Sequence, residues 1–177
     1  MIFLTTSSPS AASTLEVDLT TAPFSLAAGE QLILVINDLT VSVDDRWVGI
    51  RCSTDGGSTF DAGTNYQYQH YSSVGATPVS NGNSATGAMY FSSPSAAEGL
   101  GNATNESMSG EFVFYNLVDT RWARMVGHAA YEWPSGSMCQ ADATGTHKST
   151  SAVTDLEISA ESGTFSGTFY WYKRKIA

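Results

Sequence analysis

The chain predicts an all-β protein, an antiparallel β-sandwich of jelly-roll-like form with roughly eight to ten strands. Three observations carry that expectation. Apolar and polar residues alternate with a period of two in most segments between turns, the signature of half-buried strands. Only 14% of the 177 residues are charged, and Ser, Thr, Gly and Asn fill the polar positions, which suits exposed strand faces better than helices with charged outer faces. Turn-forming runs of Gly, Ser, Asn and Pro separate the alternating segments without intervening helices. The best helical run, residues 95–100, is cut short by Gly99.

The elements follow in chain order. Residues 1–13 read as an N-terminal arm, ahead of one sandwich domain over residues 14–177, long enough to bury a core without disulfide or metal staples. In residues 14–21 Leu15, Val17 and Leu19 share one side. Residues 31–43 form a long strand, or a pair hinged at Asn37 and Asp38. Strands at 46–53 and 64–72 flank the run STDGGSTF at 53–60. Further strands are expected at 87–92, 111–118, 122–133, 152–160 and 167–174, the last with Phe169 and Trp171 on one side and Tyr170 and Tyr172 on the other. The stretches 72–87, 93–110 and 134–147 read as loops of a length uncommon unless they bind something or bury against a neighbour.

Charge and cysteine content exclude several classes. With 8 Lys and Arg against 17 Asp and Glu, the net charge is −9, so a nucleic-acid partner, which needs clustered positive charge, is not expected. The basic run Lys173–Lys175 is read as solvating a chain end. No apolar stretch approaches the ~18 residues of a membrane span, and the first residues lack the basic and apolar regions of a signal peptide. Assembly in a cytoplasm is therefore expected, where the sequons at Asn102 and Asn105 carry no glycan. Cys52 and Cys139 are read as buried thiols rather than a bridge.

No residue set announces catalysis, a metal or a cofactor. His70, His128 and His147 are widely spaced and fit no zinc pattern. Glu98, Glu106, Glu111, Glu132 and Asp142 could supply the two carboxylates that glycoside hydrolysis needs, but nothing in the sequence makes two of them converge. The run at 53–60 satisfies S-x-D-x-G-x-T-(W/F), the Asp-box pattern that recurs on sialidase blades. A propeller needs several blades of roughly 40 to 50 residues each, and this chain holds one copy. The expected role is a structural hairpin: Ser53 and Thr59 at the strand ends, Asp55, Gly56 and Gly57 at the tip, and Phe60 plugged beneath. The aromatic residues are the best binding candidates. Alternation puts Tyr66, Tyr68 and His70 on one face, with Tyr71 opening the loop beyond. Tyr66, Tyr68 and Tyr71, with Trp133 before Pro134, are the carbohydrate-binding candidates, and cross-strand packing or burial at a subunit interface is the competing, favoured role for the tyrosines.

Taken together, RCSTDGGSTFDAGTNYQYQ in the first half and AVTDLEISAESGTFSGTFYWYKRK at the C-terminus resemble a group of tailed-bacteriophage virion proteins. The closing pattern is carried by Val153, Leu156, Ile158, Gly163, Phe165, Gly167, Thr168, Phe169 and Tyr172. The resemblance implies a non-enzymatic structural component of the virion, a capsid decoration, head spike or tail-fibre module. It also implies other virion proteins as partners, a homotrimer, and contact with host surface glycans. The absence of a repetitive shaft favours a compact knob over an elongated fibre.

Overall fold

The computed structural model describes residues 1–74, 77–94 and 99–175, and every regular element among them is a strand. The expected helical turn at 95–100 lies mostly outside the described residues. The strands are β1 (Ile2–Ser7), β2 (Thr14–Asp18), β3 (Glu30–Val41), β4 (Val48–Ser53), β5 (Tyr66–Val74), β6 (Thr77–Thr86), β7 (Met89–Tyr90), β8 (Met108–Tyr115), β9 (Ala123–Glu132), β10 (Met138–His147), β11 (Asp155–Ala160) and β12 (Phe165–Lys175). An eight-stranded sheet runs β1-β12-β3-β8-β9-β10-β5-β6, and a four-stranded sheet runs β2-β11-β4-β7. The small sheet covers one face of the large one.

The core fills the space between them. The large sheet contributes Leu32, Leu34 and Ile36 from β3, Phe112 and Phe114 from β8, and Phe169 and Trp171 from β12. The small sheet answers with Val17, Ile50, Leu156 and Ile158, and Phe91 meets Phe112 with ring centroids 4.5 Å apart. Fully burying side chains of this size is worth about 1.5–3 kcal/mol each. These contacts hold the two sheets face to face, and every large-sheet residue of opposite parity is turned away from the core.

Strand β3 stays continuous through the expected hinge. Asp38 adopts a left-handed φ of 57°, its N–H donates to Ser109 Oγ at 3.2 Å, and the register with β8 shifts between Ile36 and Leu39. The opposing strand β12 shifts between Ser166 and Thr168. The two irregularities face each other as a bulge, which bends the sheet without ending it.

Twelve strands exceed the expected number because three lie in segments read as arm or loop. Residues 2–7 of the arm pair with β12 as an edge strand. Residues 77–86 form β6 on the opposite edge, paired to β5; exposed on both faces, β6 has no apolar side to display, and Pro78 is tolerated because an edge strand can spare an N–H. Residues 138–147 form β10, whose inward positions are Cys139, Ala141, Ala143, Gly145 and His147. These small residues leave room for Met89 of β7, against which Gly145 packs, and they disguise a buried face. The basic run is also no frayed end. Lys173 reaches Glu30 Oε2 at 3.4 Å and donates to the Phe24 and Ser25 carbonyls, while Arg174 Nε donates to Gln31 Oε1.

One buried group sets a pH limit. His70, on the inner face of β5, is fully buried, and neither ring nitrogen reaches a partner of good geometry among the described residues. Burial pushes its imidazole down to about 4, against weaker support for the charged form from Asp142 and the Phe91 backbone. The unfolded chain takes up this proton near pH 6.5, the folded chain only near 4, so stability is full above pH 6.5 and falls as pH drops through that window. The expected loss is on the order of 3 kcal/mol. Urea denaturation across pH 4 to 7 should show that slope, and His70→Leu should flatten it.

Candidate functional site

The run Ser53–Phe60 folds as a clasp, and the expected hairpin is not what it closes. Strand β4 before it belongs to the small sheet, pairing with β11 and β7, whereas β5 after it belongs to the large sheet, pairing with β10 and β6. The turn carries the chain from one sheet to the other. Asp55 organises it: its carboxylate accepts from Ser53 Oγ at 2.7 Å, from the Thr59 N–H at 2.9 Å and from Thr59 Oγ1 at 2.6 Å. Those bonds, the Thr59 hydroxyl first, hold the Asp55 carboxyl down at about 2. Gly56 and Gly57 take φ of 73° and 76°, which non-glycine residues adopt only under strain. The Gly56 N–H donates to Thr154 Oγ1 at 2.9 Å, and the Thr154 N–H donates to the Ser53 carbonyl at 2.9 Å. The clasp is thereby pinned to the segment leading into β11. Phe60 is half-buried and stands outside the core cluster.

Behind the clasp lies a second polar group. Tyr66 is fully buried, its hydroxyl accepts the Cys52 N–H at 2.7 Å, and its ring stacks on His147 at 4.8 Å. His147 Nε2 lies 2.8 Å from Asp61 Oδ2, and Asn65 Nδ2 donates to the same carboxylate. Cysteine, histidine and aspartate are thus close in space, yet burial pushes the Cys52 thiol up to about 12. A thiol so held is no nucleophile. Neither cysteine forms a disulfide, and both are buried.

The four expected sugar contacts do not form one platform. Tyr66 is inside the core. Tyr68, half-buried on the same inner side of β5, packs edge-to-face on Tyr90 at 4.9 Å. Tyr71, five residues beyond Tyr66, has the opposite parity and is 52% exposed on the outer face. Trp133 is half-buried in the β9–β10 turn, where its N–H donates to the Ser137 carbonyl.

The outer face of the large sheet instead collects a different set, row by row across the strands. One row runs Phe3, Tyr172, Ile33, Val113, Val126, Thr144, Gln69 and Gly82, each opposite the next. The neighbouring row runs Tyr170, Val35, Glu111, His128, Asp142, Tyr71 and Ser80. A third carries Tyr115, Arg124, Thr146 and Gln67. Three shallow depressions lie along these rows. The first row is apolar at the β1 end and amide and hydroxyl at the β6 end, and Val126 at its centre is 47% exposed. Among the described residues no group of three or more His, Cys, Asp or Glu is arranged to hold a metal ion. The period-two parity of 66–72 was the signal that could have separated Tyr71 from Tyr66; Gln69, Thr144 and Asn83 carried none, because two of their three strands read as loops.

No protein family model matches the chain, and no curated protein matches it. Among solved structures, the NanB sialidase from Streptococcus pneumoniae is similar over 100% of this chain at 9% identity and TM-score 0.38, the chain spanning 27% of it. A protein of unknown function from Bacteroides ovatus is similar over 75% of the chain, which covers 45% of that protein, at 8% identity and TM-score 0.23. The CBM2 module of the evolved Dit of Lactobacillus casei BL23 phage J-1 is similar over 93% of the chain, which covers 70% of it, at 5% identity and TM-score 0.16. At these TM-scores none of the three bears on function.

Two substitutions test the scaffold apart from the outer face. Tyr66→Phe strands the Cys52 N–H in the core and should cost about 1–3 kcal/mol in chemical denaturation. Asp55→Ala should lower the Tm at pH 7 and reduce the acid sensitivity between pH 4 and 2, since a carboxyl depressed to about 2 stabilises above its ordinary value and loses that contribution as pH falls towards 2.

Proposed function

We propose that the protein is a non-enzymatic structural module of a bacteriophage particle, anchored at one edge of its large sheet and recognising a host surface glycan with the outer face of that sheet. The observation that carries this reading is the polarity of the sheet. The strands β1 and β12 pair at one edge, and there Ile2 and Phe3 of β1 are 59% and 55% exposed. Apolar side chains in a row on an uncapped edge strand favour contact with a neighbouring chain. At the far edge, β10-β5-β6, Tyr71 and Met138 are the large exposed apolar side chains among the described residues, and around them that surface presents amides, hydroxyls and the Asp142 carboxylate.

The virion resemblance supports the same reading. Its two motifs meet in space at the clasp, where Gly56 and Ser53 bond to Thr154, so they describe one structural unit of the scaffold. The partners that follow are neighbouring virion proteins, further copies in a homotrimer, and the glycan. A non-enzymatic role is supported by the open face around the acids: Glu111 and Asp142 stand two strands apart, roughly 10 Å between backbones, with exposed His128 between them, and nothing there excludes water from a sugar ring.

Purified particles should contain the chain, and deletion of its gene should remove a discrete surface or tail density; particles of unchanged composition would overturn the reading. Particles carrying Tyr71→Ala should adsorb to host cells at least several-fold more slowly. Host polysaccharide incubated with the protein should release no reducing sugar, and release abolished by Glu111→Gln would replace the binding role with a hydrolytic one.

A further inference from the structure

The outer face is not uniform, and one depression in it is built differently from the rest. It holds about 470 Å³ over β10, β5 and β6. Gln67, Gln69, Asn83, Ser84, Thr144 and Thr146 line it, so every side-chain polar group in its wall from these residues is an uncharged amide or hydroxyl. Walls without a carboxylate, ammonium or guanidinium group set this depression apart from the other two, which Glu111 and His128 line.

Its amides are held in place. Gln69 Nε2 donates to Ser80 Oγ at 3.1 Å and to the Asn81 carbonyl at 3.0 Å. Its Oε1 then lies over Gly82, where a Cβ would come within 2.5 Å of it, so the absence of a side chain at 82 is what lets the carbonyl oxygen lie there. Asn83 Oδ1 accepts the Ala85 N–H at 2.9 Å, which leaves the Asn83 Nδ2 as a donor. Thr144 Oγ1 donates to the Gln69 carbonyl at 3.3 Å. The nearest lysine, Lys148, is tied to the Ser84 carbonyl at 2.7 Å. A fixed acceptor at 69 and a donor at 83, with hydroxyls between, match neighbouring hydroxyl or acetamido groups of a sugar, which both donate and accept. Tyr71 follows Gln69 by two residues on the same face, about 7 Å along the strand, and supplies an exposed ring beside the groove. Asp142, opposite Tyr71, puts a negative charge at the rim.

We infer that this groove is the glycan subsite, and that it takes an uncharged hexose or N-acetylhexosamine chain, one ring stacked on Tyr71 and the next hydrogen-bonded by Gln69 and Asn83. The inference rests on the recognition role proposed for the outer face. The walls decide the ligand class: amides and hydroxyls pair with the hydroxyl and acetamido groups of an uncharged sugar, whereas the charges at the rim, Asp142 beside Tyr71 and Arg124 and Lys148 beside Thr146 and Ser84, are of both signs and lie outside them.

The test is an array of bacterial surface glycans sorted into neutral, anionic and amine-bearing chains, probed with the full chain and followed by calorimetry on the strongest neutral binder. Neutral chains should bind at least tenfold more tightly than charged ones. Gln69→Ala and Asn83→Ala should each weaken binding about tenfold, Tyr71→Ala more, and Thr14→Ala, exposed on the small sheet, not at all; circular dichroism confirms that each variant folds. Preference for charged chains, or neutral binding that ignores Gln69→Ala and Asn83→Ala but is lost in Tyr71→Ala, overturns this subsite while leaving the outer face as the recognition surface. Silence across the whole array overturns both.

Discussion

The inward-outward alternation of the eight-stranded sheet governs the rest of the molecule. Because the four-stranded sheet covers one side only, parity along the strand decides whether a large-sheet side chain points towards the core or towards the outer face. A slip of one residue would exchange the two sets. On β5 that rule sends Tyr66, Tyr68, His70 and Ser72 inward and Gln67, Gln69 and Tyr71 outward. On β9 it sends Met125, Ala129 and Tyr131 inward and Val126 and His128 outward. The core enforces the choice, since a register that exposed Phe112 and Phe114 would forfeit several kcal/mol for each ring. The outer face is thus a by-product of the core: Glu111, His128, Asp142 and Tyr71 align because their neighbours must be buried.

The clasp at Ser53–Thr59 makes this arrangement reachable for one chain. A hairpin there would have put β4 and β5 in the same sheet. Instead Asp55 closes a turn that leaves the small sheet, and the group formed by Cys52, Tyr66, His147 and Asp61 receives the chain on arrival in the large one. Both are satisfied locally: a carboxylate with three donors, and a tyrosine hydroxyl with a backbone N–H. The motif's acid is taken up by the donors of its own turn, two hydroxyls and a backbone N–H.

The sandwich, the long bulged β3 and the core faces of β3, β8, β11 and β12 were legible in the sequence, because Leu, Ile, Phe and Trp mark a buried side unmistakably. Strands β6 and β10 were not, for opposite reasons. β6 has no buried side, and β10 buries residues too small to read as apolar. With them went most of the candidate groove, since Thr144, Thr146, Asn83 and Ser84 stand on those two strands. Of the four aromatic residues expected to contact sugar, parity could have moved Tyr66 and Tyr68 inside and kept Tyr71 outside. No local pattern links Gln69 to Thr144 across 75 residues; that link exists only once the sheet has formed.

The strand order also has a mechanical meaning. If the protein is held at its β1–β12 edge and binds through the groove near the other, as proposed, tension between the two would act across the strands, along the direction of the ladder hydrogen bonds. Bonds loaded in that direction give way in succession, like a zip, instead of sharing the force as they do when strands are sheared lengthwise. The pair β5–β6 stands first in that series, and β6 has no buried residue of its own to resist. Under such a load β6 is the strand with least to hold it, and its neighbours would keep their core contacts if it parted.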